Sequence, residues 1–184
     1  MTAGEPSRWV REGERTLAST RVLDLLSVRF RQPERGVEKE FVVIHPPDWV
    51  NVVAVTPDGR IVLVRQFRFG ANALSLEVPG GAVEMGEDPV AAGLRELSEE
   101  TGYGGGTVRL LGSVHPNPAI QDNRCHFVLV DGAVSTGPLN WDEDEEIEIS
   151  TAPAAEVLGW ARSGRITHSL SVAALMLFEG GRGV

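Results

Sequence analysis

Three carboxylates, Glu96, Glu99 and Glu100, fall within one turn of a segment that reads as a helix. A double glycine, Gly80-Gly81, stands upstream of them. Residues three and four apart share a helix face, so Glu96 and Glu100 are neighbours and Glu99 flanks them. Like charges so placed cost an exposed helix about 0.2–0.5 kcal/mol per pair. A hard divalent cation, Mg2+ or Mn2+, turns that cost into a site of oxygen ligands. The glycines let backbone pass close to a ligand and present a carbonyl as one more hard oxygen. Arg95 is placed to pair with a carboxylate, and Glu87 is a candidate partner. Taken alone, the cluster reads equally well as a solvated helix face.

These residues need elements to hold them. Glu87–Thr101 reads as a helix with Pro89 in its first turn, where proline is tolerated, and Gly102 as its stop. GGG at Gly104–Gly106 reads as a flexible exit. Ahead of the helix, WVNVVAVT (Trp49–Thr56) and RIVLVRQFRF (Arg60–Phe69) flank a Pro57-Asp58-Gly59 turn and predict a hairpin. LSLEVPGG (Leu74–Gly81) reads as a strand ending in glycines. Val108–Val114 and Cys125–Val130 are further strands, joined by the polar loop HPNPAIQDN (His115–Asn123). The acidic stretch NWDEDEEIEI (Asn140–Ile149) runs into a strand. Ala154–Arg162 and Thr167–Phe178 read as helices. Strands interleaved with a few helices predict an α/β or α+β domain with a mixed sheet covered on both faces. Between Trp9 and His45, short β-like runs around a Pro33–Gly36 turn predict a small antiparallel sheet, with a boundary at His45-Pro46-Pro47-Asp48.

The totals bound the function. The 184 residues suit one domain, or one with a small appendage. A net charge of −9 argues against a nucleic-acid backbone or an anionic membrane surface as partner, and suits divalent cations. Cys125 is the single cysteine, which excludes an intramolecular disulfide and a zinc site built of cysteines. The opening MTAGEPSRWV has no signal-peptide pattern, and the longest apolar run, Val172–Phe178, is too short to span a bilayer. The reading is a cytoplasmic protein.

The pattern G-x5-E-x7-R-E-U-x-E-E-x-G-U, with U apolar or aromatic, is met by Gly81, Glu87, Arg95, Glu96, Leu97, Glu99, Glu100, Gly102 and Tyr103. It is the Nudix box, and the sequence resembles that family. The resemblance implies a Nudix fold, an α/β/α sandwich with a mixed sheet, preceded here by the small antiparallel β segment. It divides the chain into an N-terminal β domain at 1–48 and a hydrolase domain at 49–184. It further implies hydrolysis of a nucleoside diphosphate linked to a second moiety. Glu96, Glu99 and Glu100 would bind Mg2+ or Mn2+ with the Gly80 carbonyl, while Glu87 and Arg95 would be structural.

Features outside the box resemble the ADP-ribose and nucleotide-sugar pyrophosphatases. Pro118 lies where that group carries a proline marker. RQFRFG before LSLEVPGG matches its R-Q-[YF]-R…E-x-P-[AG]-G layout, which assigns Arg65, Arg68 and Glu77 to the substrate. Arg65 and Arg68 are expected to share a strand face, with surface salt bridging as the plainer reading of both. The β-rich N-terminal segment resembles a domain exchanged between the subunits of a homodimer, to which Trp9 and Trp49 could contribute. The water-activating glutamate would come from the acidic loop, which offers Glu143, Glu145, Glu146 and Glu148. Glu145 is preferred, then Glu146, with a solvated loop as the equal alternative. The four histidines show no metal spacing and read as structural, although His115 sits in the loop expected over the site.

Two other functions compete: a hydrolase of oxidised nucleoside triphosphates, and a non-catalytic sensor domain. The first needs no N-terminal sheet. The second usually lacks box glutamates that this chain keeps.

Overall fold

The computed structural model describes residues 6–137 and 146–181. The chain forms two compact units, Met1–Pro47 with His115–Asn123, and Asp48–Val114 with Arg124–Val184.

The first unit is a three-stranded antiparallel sheet of β1 (Val10–Ser19), β2 (Asp24–Gln32) and β3 (Val37–His45), with β2 in the centre. Val28 on β2 lies opposite both Glu14 and Phe41. The loop His115–Asn123, expected over the site, joins this unit. Ile44 N–H donates to Ile120 O at 2.8 Å, and Gln121 bridges Ile44.

The second unit carries a mixed sheet. Its core order is β12 (Glu148–Pro153), β5 (Arg60–Arg68), β4 (Trp49–Val55), β10 (Cys125–Asp131) and β9 (Thr107–Val114). β6 (Ala73–Glu77) pairs with β5, and β7 (Gly80–Ala82) pairs with β4. β4 and β10 run parallel, and the other pairings are antiparallel. β4, β5 and β10 are nearly continuous apolar runs, as strands covered on both faces must be. Alternation decides which helix each residue meets. Val50, Val52 and Ala54 pack with Ala92 and Leu97 of α1 (Pro89–Thr101). Val53 and Val55 pack with α2 (Ala154–Arg162) and α3 (Ser169–Gly180). This is the expected α/β/α sandwich. None of the described helices is long and apolar enough to cross a membrane.

The expected glycine exit after α1 is ordered differently. Tyr103–Gly104 (β8) pairs with Val134–Ser135 (β11) in a two-stranded ribbon, so the glycines connect two strands.

Candidate active site

α1 is set by its ends. The Asp88 side chain accepts from the N–H groups of Val90 and Ala91, Pro89 opens the helix, and Gly102 closes it in the left-handed region at φ 68°. The helix therefore begins after Glu87. That residue is left to receive Arg95, whose Nε and Nη2 lie 3.1 Å from its two carboxylate oxygens.

Arg95 is the hub of the cluster. Its Nη1 donates to Glu96 Oε1 at 2.8 Å and to Glu99 Oε2 at 3.1 Å, and Nη2 also reaches the Ala82 carbonyl. The Glu87 hydrogen bond and, despite some burial, the Glu96 and Glu99 contacts push its pKa further up, so the guanidinium is permanently charged. The same hydrogen bond, with one from the Glu84 N–H, holds the Glu87 carboxyl below its usual range. Glu100 is buried and accepts from Gly80 N–H at 3.0 Å.

Space requires the first glycine and makes the second costly to the glutamate beside it. A Cβ on Gly80 would overlap the Val50 carbonyl, and one on Gly81 would overlap the Glu96 carboxylate. Glu96, Glu99, Glu100, Gly80, Gly81, Ala82 and Arg95 line one cleft of about 240 Å3, with Arg68, Gln66 and Trp49. No thiol or imidazole is among these lining groups. Among the described residues, no three acidic, histidine or cysteine side chains already stand as a metal cluster. The donor set and the Gly81 cradle nevertheless fit a hard divalent cation. Glu96, Glu99, Glu100 and the Gly80 carbonyl would be the residues to hold it. Such an ion neutralises phosphate charge, polarises phosphoryl oxygens and acidifies water.

Arg68 brings a positive charge to the same cleft. Its Nε and Nη2 donate to Glu77 Oε1 and Oε2 at 2.9 and 2.7 Å, a bidentate pair. Glu77 is fully buried. Burial pushes its carboxyl up, but the Arg68 hydrogen bond, the charges of His168 and Arg68 and a Ser75 hydrogen bond together hold it below the usual range.

Arg65 does not share this face. Residues three apart on a strand point to opposite sides, so the expectation that Arg65 and Arg68 lie together is corrected. Arg65 pairs with Glu148 at 3.2 Å and lines a second cleft with Trp160 and Arg165. Gln66, two residues from Arg68, is the one that joins it. Pro118 belongs to the first unit. Glu146 is exposed just ahead of β12, while Glu143 and Glu145 lie outside the described residues. Three participants were not anticipated in the site: Gln66, Trp49 and Ala82, whose carbonyl receives Arg95 Nη2. Gln66 was recoverable from strand alternation; Trp49 had only its place at the start of a central strand as a signal.

A model of the NUDIX domain matches residues 21–170. The chain belongs to the Nudix family. Among Nudix relatives and others, it is 30% identical over 172 residues to the ADP-ribose pyrophosphatase of Bacillus subtilis (strain 168), covering 90% of this chain and 92% of that protein. It is 32% identical over 162 residues to the methanol dehydrogenase activator of Bacillus methanolicus, covering 88% and 87%. A crystal structure described as an ADP compounds hydrolase superposes with a TM-score of 0.83 over 97% of this chain and 96% of the other, at 22% identity. That match establishes the Nudix fold, and the sequence relatives extend along nearly the whole chain.

Proposed function

We propose that this protein hydrolyses the pyrophosphate bond of ADP-ribose or a related nucleoside diphosphate sugar with Mg2+ or Mn2+. The products are a nucleoside monophosphate and a sugar phosphate. The observation that carries the reading is one cleft with two complementary walls. The glutamates of α1 offer hard oxygens to a cation, and Arg68, braced by Glu77, offers a guanidinium to an anion. A diphosphate needs both. The Bacillus subtilis relative's name supports the choice of ADP-ribose.

In this reading Glu96, Glu99, Glu100 and the Gly80 carbonyl hold the ion, and Arg68 grips a phosphate. A water oxygen bonds to one phosphorus, the bridging P–O bond breaks, and the bridging oxygen leaves on the other phosphate. Glu145, or failing it Glu146, takes the water's proton. Arg65 and Pro118 are carried as substrate contacts on the sequence layout alone. The N-terminal sheet, with the 115–123 loop that joins it, forms the dimerisation domain, and the rest of the chain the hydrolase domain. Trp9, just ahead of β1, and Phe41 of β3 meet edge to face, are 41% and 45% accessible, and suit a homodimer interface.

The test is product analysis with Mg2+ on ADP-ribose, ADP-glucose, GDP-mannose, NADH, diadenosine polyphosphates and dNTPs. Monophosphate plus sugar phosphate from ADP-ribose or a nucleotide sugar is the expected result. Pyrophosphate from dNTPs alone would replace this reading with the triphosphate one. ADP-ribose binding without turnover would replace it with the sensor.

A further inference from the structure

We propose that His168 is a positioning residue: through Glu77 it holds the Arg68 guanidinium in place for the substrate diphosphate. The inference rests on the reading of the glutamate cleft given above.

Glu77 sits beneath the cleft with no solvent access. A carboxylate so enclosed needs donors on both oxygens. Arg68 supplies one to each. His168 Nδ1 lies 3.2 Å from Oε2, within ion-pair distance, while its hydrogen bond runs to Ser171 Oγ. His168 occupies the N-cap of α3, a position whose side chain commonly bonds the helix's own first N–H groups. It makes no such bond. Its ring reaches Glu77 at the end of β6 instead.

Ser171, one turn further on and fully buried, ties the same corner. Its Oγ accepts from Val78 N–H at 3.2 Å and lies 2.9 Å from His168 Nδ1. A continuous path thus runs from Val78 through Ser171, His168 and Glu77 to Arg68 in the cleft. Val78 stands two residues before Gly80, so α3 braces both walls of the site.

This role requires a proton on Nδ1, which lies 2.9 Å from Ser171 Oγ and 3.2 Å from Glu77 Oε2: without it the Nδ1 lone pair would face the carboxylate. Burial holds the imidazole below its ordinary pKa. Glu77 pulls it up and Arg68 pushes it down, with burial the largest influence. Burial thus favours the neutral ring.

Two measurements test this. In 15N NMR of the protein without substrate, His168 Nδ1 is expected to show the protonated, pyrrole-type signal. The Arg68 Nε–H is expected to exchange slowly. His168→Ala should speed that exchange while the backbone amide spectrum persists. With ADP-ribose, His168→Ala should raise KM about tenfold with kcat changed less than about threefold. His168→Asn, whose amide nitrogen overlies Nδ1, should restore most of the loss. An unprotonated Nδ1, or an Arg68 Nε–H indifferent to His168→Ala, overturns the proposal. So does an equal rise in KM for Asn and Ala, which would reduce His168 to core packing. A wild-type protein that turns over no nucleoside diphosphate sugar defeats the substrate reading instead, and the NMR arm still decides His168. If His168→Ala does not fold, the wild-type tautomer and the Arg68 exchange in His168→Asn carry the decision.

Discussion

At the scale of single residues, the carboxylate cluster is a balance between one guanidinium and whatever cation joins it. Glu100→Gln keeps an oxygen that can accept from Gly80 N–H but removes a negative charge. Metal ions supply several kcal/mol of transition-state stabilisation. Turnover is therefore expected to fall roughly 100–1,000-fold, with the melting temperature little changed; steady-state kinetics across a Mg2+ titration, alongside thermal melts, checks both. Unchanged turnover would remove Glu100 from the metal set. Gly81→Ala forces a methyl against Glu96. It should weaken divalent-ion affinity, measured by calorimetry, more than it lowers stability. These positions were legible in the sequence because a helix brings i, i+3 and i+4 residues together. Arg65 and Arg68 were misread because strands alternate every second residue. The Glu77–His168 contact had no local signature: it forms only when β6 and the start of α3 meet.

At the scale of elements, α1 depends on its cap. Asp88→Ala leaves the Val90 and Ala91 N–H groups without their acceptor and should cost about 0.5–2 kcal/mol. For a chain of this size that lowers the melting temperature by roughly 1–8 °C, which calorimetry reads directly. The sequence began this helix at Glu87; the structure begins it at Pro89, since Glu87 is drawn to Arg95. The junction of β5, β6 and α3 has a definite pH response. Glu77 is held low in the fold, so its stabilisation is present above its unfolded pKa of about 4.3 and is lost as pH falls through the folded value. His168 is also held low. The unfolded chain takes up its proton more readily, so the fold loses ground below about pH 6.5. Melting temperature should therefore drop on acidification below about 6.5, and further in the carboxylate range. His168→Asn should remove the first step and keep the second; an identical profile in the two proteins would show that His168 titrates alike folded and unfolded.

At the scale of the whole molecule, the layered sheet was readable from apolar runs and turn residues, because burial on both faces leaves a strong pattern. The membership of 115–123 was not readable, since a polar loop carries no mark of the strand it will join. Cys125 lies at the start of a central strand, fully buried. Burial, with the nearby charge of Asp48, pushes its thiol up to about 12. The native protein should not react with an aromatic disulfide reagent at pH 8, while the denatured chain should release one equivalent for its single cysteine. Fast native labelling would mean that this strand opens.

The first unit is completed by a segment that the chain makes only after the whole of α1. Ile44 waits for Ile120 and Asp122, and His45 for Asp122, whose carboxylate lies 2.9 Å from its ring. A genetic exchange at residue 48 would separate these partners even though it falls between the two units. Chimaeras with a relative should tolerate a foreign N-terminal sheet only when 115–123 travels with it, so the two stretches are inherited as a matched pair.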